Sequence, residues 1–217
     1  LRTGSIYALI ALGYTMVYGI AKMINFAHGD IIMVGAYSLY VFTVLLGLHP
    51  VIAVILTIVV CSVLGIVIEK VAYKPLRNAP SLAVLITAIG MSYLLQNVAL
   101  LISKATPIPF ASIISVPSLR LGSVTISGIT IVTLVVTTIS MIALTSFINN
   151  TKTGRAMRAV SEDKGAAELM GINVNKTISI TFAIGSGLAA VAGILFICQY
   201  QSLQPTLGAL PGIKAFV

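Results

Sequence analysis

Long apolar runs separated by short polar stretches set the pattern of this chain, and their lengths are those of membrane crossings. A bilayer core about 30 Å thick needs roughly 20 helical residues at about 1.5 Å each. Thr3 to Ala21, between Arg2 and Lys22, carries no charge and suffices for one crossing. The run from Ile31 to Ile68 is nearly twice that length and is broken by Gly47, His49 and Pro50, which predicts two helices joined by a tight turn. Leu82 to Ile102, Gly128 to Ile148 and Ile178 to Cys198 each predict one more. The predicted fold class is therefore all-α: a polytopic α-helical membrane protein with about six membrane helices.

The polar stretches orient these helices. EKVAYKPLRNAPS carries Lys70, Lys74 and Arg77, and the loop 149–177 carries Lys152, Arg155, Arg158, Lys164 and Lys176. Basic residues accumulate in cytoplasmic loops, so both are expected inside, and the two helices between them return the chain to the same side. The loop 103–127 is then external. Its prolines 107, 109 and 117 and the alternation SVPSLRLGSVTIS suggest an ordered loop with a short hairpin. The whole of 1–217 reads as one transmembrane domain, with a segment before Leu1 and further helices after Val217 expected.

Composition narrows the class without changing it. Of 217 residues, 58% are hydrophobic and 8% charged, against about 25% charged in a typical soluble domain. A cytosolic enzyme, a disulfide scaffold and a disordered tail are excluded. The net charge of +8 follows from the positive-inside bias and requires no nucleic acid. Cys61 and Cys198 lie inside apolar runs with no ligand spacing and read as packing residues.

Candidate chemistry gathers in two places. In NNTKTGRAMRAVSEDKGAAELMGINVNKT, Ser161 suits an N-cap, Glu162 and Asp163 suit a first helical turn, and Gly171 suits a C-terminal stop. The prediction is a helix over 162–170, too short to cross, with an apolar surface of Ala166, Ala167, Leu169 and Met170. It reads either as a docking element or as an amphipathic helix on lipid headgroups, with Arg155 and Arg158 binding phosphates. In AKMINFAHGD, Lys22, Asn25, His28 and Asp30 cluster, Gly29 reads as a helix breaker and Asp30 as the N-cap of a helix from Ile31. Such a break is either a transporter site or a capped turn. Gln96 and Asn97 are the notable polar residues within a helix; they line a path or bond neighbouring helices. TFAIGSGLAAVAGIL offers a small-residue face for close helix approach. No crossing is expected to hold an interior charge, and the chain lacks GxxxxGK[ST], so energy coupling is expected from elsewhere. No catalytic or metal site is predicted.

GSIYALIALGYTMVYGIAKMINFAHGDIIMVGAY, EKVAYKPLR, LITAIGMSYLLQN, GRAMRAVSEDKGAAELMGI and TFAIGSGLAAVAGIL, in this order, closely resemble the LivH-type permeases of branched-chain amino acid ABC importers. The resemblance implies a permease subunit in the plasma (inner) membrane of a prokaryote, working by alternating access. Its implied partners are cytoplasmic ABC ATPase subunits carrying ATP and Mg, a second permease subunit forming a homo- or heterodimer, and an external substrate-binding protein. The helix after Ser161 is the implied coupling helix, with Ala166, Ala167 and Gly171 matching the importer EAA motif and Gly165 where that motif has Glu; the expected ATPase-coupling residues are Arg155, Arg158, Glu162, Asp163, Ala166, Ala167, Leu169 and Gly171. Asn25, Phe26, His28, Gly29 and Asp30 are the implied path or gating residues, and Gln96 joins them as the polar helix residue read above as a path candidate. A self-contained facilitator for a small polar solute such as urea or a short amide is the alternative.

Overall fold

The computed structural model describes residues 2–77, 79–104, 106–114, 116–121 and 124–216, with the backbone alone at 2, 119–121, 124, 125 and 216. Six helices are long and apolar enough to cross a membrane. They are α1 (Arg2–Ala21), α2 (His28–Tyr40, prolonged by a π turn Val41–Leu45), α3 (Pro50–Ile68), α4 (Ser81–Ser103), α5 (Gly128–Asn150) and α8 (Val174–Tyr200). A π turn Glu69–Tyr73 and a 3₁₀ turn Lys74–Leu76 extend α3. Three shorter helices complete the set: α6 (Lys152–Glu162), α7 (Lys164–Leu169) and α9 (Ala209–Phe216).

The centre of the fold is α8, packed against α1, α2 and α3. Sixty-seven per cent of its span is buried, against 11% for α4 and α5, whose apolar side chains face outward. Small residues make this possible, because they let backbones approach. They serve several partners rather than one stripe. A Cβ added at Gly185 would lie 2.6 Å from Val17 of α1, one at Gly193 would lie 2.3 Å from the Ile32 carbonyl oxygen of α2, and Gly187 packs beside Ser62 of α3.

Two polar faces bracket the core. On one, Arg77 hydrogen-bonds Asn175, so the two lysine- and arginine-rich loops share a basic face. On the opposite face, β1 (Ile108–Pro109) pairs antiparallel with β4 (Ser202–Leu203), tying the loop after α4 to the chain after α8. A hairpin of β2 (Leu119–Leu121) and β3 (Val124–Ile126) forms where alternation predicted one; its turn residues 122 and 123 lie outside the described residues, as do the chain ends Leu1 and Val217.

Two chain segments turn back into the protein. α1 ends at Lys22 (φ 57°) and α8 at Gln201 (φ 54°), both in the left-handed region that reverses a helix end. After Lys22 the chain runs without helix to His28, whose ring packs against Gly13, well inside α1. After Gln201 it returns so that Gly208 and Gly212 meet Gly29. A Cβ on Gly208 would stand only 1.7 Å from the Gly29 carbonyl oxygen. Non-helical backbone at this depth is tolerated because protein surrounds it.

Three expectations are corrected. α2 starts at His28, not Ile31, so Asp30 lies in its first turn and Ala27 is the N-cap, with no side-chain cap bond. Gly29 does not break the helix; it is the point where α2 touches the returning chain. Charges do occur inside the spans. Asp30 (2% exposed) and Glu69 (0%) are both buried there, because α2 begins three residues earlier, and α3 continues further, than the charge-free runs indicate.

Candidate functional site

The stretch after Lys22 together with α1, α2, α4 and α9 lines a cavity of about 370 Å³, within the range of about 300–1,000 Å³ usual for small-molecule sites. Asn25, Phe26, Gly29, Asp30 and Gln96 all line it. Each arrives by a different local cause. Asn25 and Phe26 come from the non-helical stretch, Gly29 and Asp30 from the first turn of α2, and Gln96 from a face of α4 that also brings Ile89, Ser92 and Tyr93. That face has the i, i+3, i+4, i+7 spacing of a helical stripe. Gln96 Nε2 donates to Asp30 Oδ1 at 2.9 Å and to Ser92 Oγ at 3.1 Å. The apolar remainder includes Phe26, Ile89 and Ile213.

His28 is the exception among the six. It stands behind the cavity wall, 1% exposed, with its ring edge-on to Tyr14 at 5.8 Å between centroids. Adjacent helical positions point about 100° apart, so His28 faces α1 while its neighbours face the cavity. Asn97, one position from Gln96, is exposed and donates to the Tyr93 carbonyl of its own helix at 2.7 Å.

Residues not anticipated hold the non-helical stretch in place. The Tyr73 hydroxyl donates to Asn25 Oδ1 at 2.9 Å. Glu69, four positions earlier, forms an ion pair with Arg77 and accepts from Ser179 Oγ at 2.6 Å. Lys164 Nζ, at the first residue of α7, donates to the Ala21 carbonyl at 2.9 Å, where α1 ends. EKVAYKPLR is therefore more than a connector. Its one legible signal was an acid at the edge of an apolar run, where partnerless burial is costly. Glu69→Ala removes the counter-charge of a mostly buried Arg77, and is expected to destabilise the protein by about 3 kcal/mol, the low end for a broken buried pair. The thermal midpoint of the purified variant measures this.

On the basic face the expected helix over 162–170 is shorter, α7 at Lys164–Leu169, and a separate helix, α6, precedes it and takes in Glu162. Thr151 caps α6 by accepting from the Gly154 N–H at 2.9 Å, and Asp163 caps α7 by accepting from the Ala166 N–H at 2.9 Å. Ser161 is not an N-cap; it lies in the last turn of α6 and donates to the Arg158 carbonyl at 2.7 Å. Asp163, two positions on and as good an N-cap as serine, takes the capping role. Gly154, Met157 and Val160 form the buried stripe of α6, leaving Arg155 and Arg158 exposed. Arg158 Nη1 reaches Asn149 Oδ1 at 3.3 Å. Gly171, at φ 81°, ends α7 in the left-handed conformation that glycine permits.

The expected apolar surface of α7 is divided. Ala167 is 3% exposed and packs inward, whereas Ala166 faces out. Leu169 is 90% and Met170 82% exposed, an unusual display of adjacent large apolar side chains. Glu162, Asp163 and Glu168 are exposed as well.

No cluster of three or more His, Cys, Asp or Glu side chains fit to hold a metal occurs among the described residues. Cys61 and Cys198 are buried and unpaired.

Comparison with known proteins bears on this arrangement. A family model described as "Branched-chain amino acid transport system / permease component" matches residues 1–217. The BraD high-affinity branched-chain amino acid transport system permease protein of Pseudomonas aeruginosa is 46% identical, over 100% of this chain and 74% of its own length. The LivH permease protein of Salmonella typhimurium is 42% identical over 98% of this chain and 73% of its own. A ribose import permease protein, RbsC of Haemophilus influenzae, is 28% identical over 96% of this chain and 62% of its own. No solved structure matches. Six apolar crossings and these relatives make the chain a multi-pass membrane protein of transport rather than an enzyme. It belongs to the permease-component family of branched-chain amino acid transport systems.

Proposed function

We propose that the chain forms one half of the translocation path of an ABC importer in a prokaryotic plasma membrane, carrying branched-chain amino acids through the cavity that Asp30 and Gln96 line. The observation that carries the reading is the pairing of Asp30 with Gln96 in a cavity otherwise walled by Phe26, Ile89 and Ile213. A zwitterion with an aliphatic side chain needs both kinds of wall. Asp30 takes the ammonium. The start of α2, which has no side-chain cap, and the Asn25 amide offer donors to the carboxylate; Tyr73 already occupies Asn25 Oδ1, which leaves Nδ2 to donate.

In this reading 149–177 is cytoplasmic and 103–127 external. Leu169 and Met170 seat in a groove of an ATPase subunit, with Arg155, Arg158, Glu162 and Asp163 at the rim. ATP and Mg stay with that partner. A second permease copy or paralogue completes the path, and an external binding protein delivers the substrate. Lys164 joins the two functional regions, since its hydrogen bond to Ala21 links the start of α7 to the residue preceding the cavity-lining stretch. Rocking of α7 by the ATPase thus reaches the cavity wall through one contact.

The test is reconstitution of the full-length permease with its ATPase and binding-protein partners in proteoliposomes. Leucine uptake is expected to require ATP, the partners and external binding protein. Leucine, urea or acetamide flux through the permease alone without ATP would overturn the reading in favour of a facilitator.

A further inference from the structure

A second cavity, of about 320 Å³, opens beside the first toward the basic face, between the end of α1, the stretch after Lys22 and the start of α4. Lys22, Arg77 and Lys164 all line it, and none of the described residues lining it is acidic. We propose that this cavity is a binding site for a phosphate-class anion.

Charge is the first argument. Three cations face one space, and the nearby acid, buried Glu69, is engaged by Arg77 and Ser179. An excess of two positive charges remains. Arg77 directs its two terminal nitrogens to Glu69 and Asn175, and each carries a second N–H that a further acceptor can take. Lys164 donates to Ala21, which leaves two of its three N–H groups. Burial, and then repulsion from Arg77 and Lys22, hold its ammonium below the usual lysine range. This shows a site short of negative charge.

Helix geometry points the same way. Ser81, the first residue of the 23-residue α4, lines the cavity, and the N-cap Pro80 provides no side-chain cap bond. The first N–H groups of α4 and the positive end of its dipole are thereby offered to the same space.

The surroundings favour a lipid phosphodiester as the source. Tyr18 of α1 is 49% exposed, and Leu82 and Ile86 of α4 are 64% and 61% exposed, so apolar side chains flank the cationic space on two sides. A headgroup enters from its leaflet while its acyl chains stay on those surfaces. Free phosphate shares the chemistry.

The experiment uses the full-length permease, assembled and purified in a neutral detergent. Native mass spectrometry counts retained phosphatidylglycerol against phosphatidylcholine. Thermal midpoints are read in parallel with inorganic phosphate and with chloride at equal ionic strength. Wild type is expected to retain one phosphatidylglycerol selectively, with affinity falling roughly tenfold in Lys22→Gln and recovering in Lys22→Arg, as for loss of one charge-assisted bond. A midpoint shift with phosphate alone, lost in Lys22→Gln, would assign the site to the free anion. Lys22 is exposed, so the variant should fold; Lys164→Gln repeats the measurement independently. Equal retention of both lipids and no phosphate response, in wild type and variants alike, would overturn the proposal.

Discussion

Leu169→Asp combined with Met170→Asp should abolish ATP-driven uptake while leaving the permease inserted and folded. Both side chains are almost wholly exposed, so nothing in the permease core depends on them. Docking in a partner groove would bury each, worth about 1.5–3 kcal/mol per side chain. Losing both costs at least about 3 kcal/mol, and a buried aspartate adds its desolvation penalty. At about 1.4 kcal/mol per decade, ATPase affinity falls by at least about a hundredfold. Copurification of the ATPase with the tagged permease, measured beside the unfolding midpoint, separates docking from folding. Retention of stoichiometric ATPase by the double variant would remove α7 from the interface. Ala167 makes a poor probe of the same question, because it packs inward and its substitution disturbs the permease itself.

Asp30→Asn tests the other end of the machine. The change is isosteric and keeps an oxygen for Gln96 to donate to, so the wall of the cavity is preserved. It removes the charge proposed to meet the substrate ammonium. Hydrogen bonds to charged groups contribute about 1.5–3 kcal/mol, which corresponds to a fall of roughly 10- to 150-fold in kcat/KM for uptake. Basal ATP hydrolysis by the assembled complex should persist, since α7 and its contacts are untouched. Uptake within twofold of wild type would show that Asp30 serves only to hold α4 against α2 through Gln96.

Both experiments target residues whose type was visible in the chain and whose setting was not. Asn25, Asp30 and Gln96 stood out because polar groups beside or within apolar runs are costly unless something uses them; Gly29 stood out as a helix breaker, and Phe26 only through the family resemblance. His28 stood out as another such polar group, yet it packs against α1. A difference of one helical position decides between wall and core, and a pattern of charges carries no such angular information across a helix start. The division of α7 has a similar cause. Composition shows four apolar residues among the five from Ala166 to Met170, but burial of Ala167 and exposure of Leu169 depend on how α6 seats against its neighbours.

The crossings, their number and the shared face of the basic loops follow from the sequence alone, because the cost of burying charge and unpaired backbone in lipid acts on each segment separately. Family membership is legible too, in the order of several long blocks. Tertiary structure alone decided the return of residues 22–27 and 201–208 into the protein, the meeting of Gly29 with Gly208, and the burial of Glu69 with Arg77 and Ser179. These depend on partners far apart in the chain. A glycine or an acid reads as a breaker or a boundary until the surface that accepts it is in place.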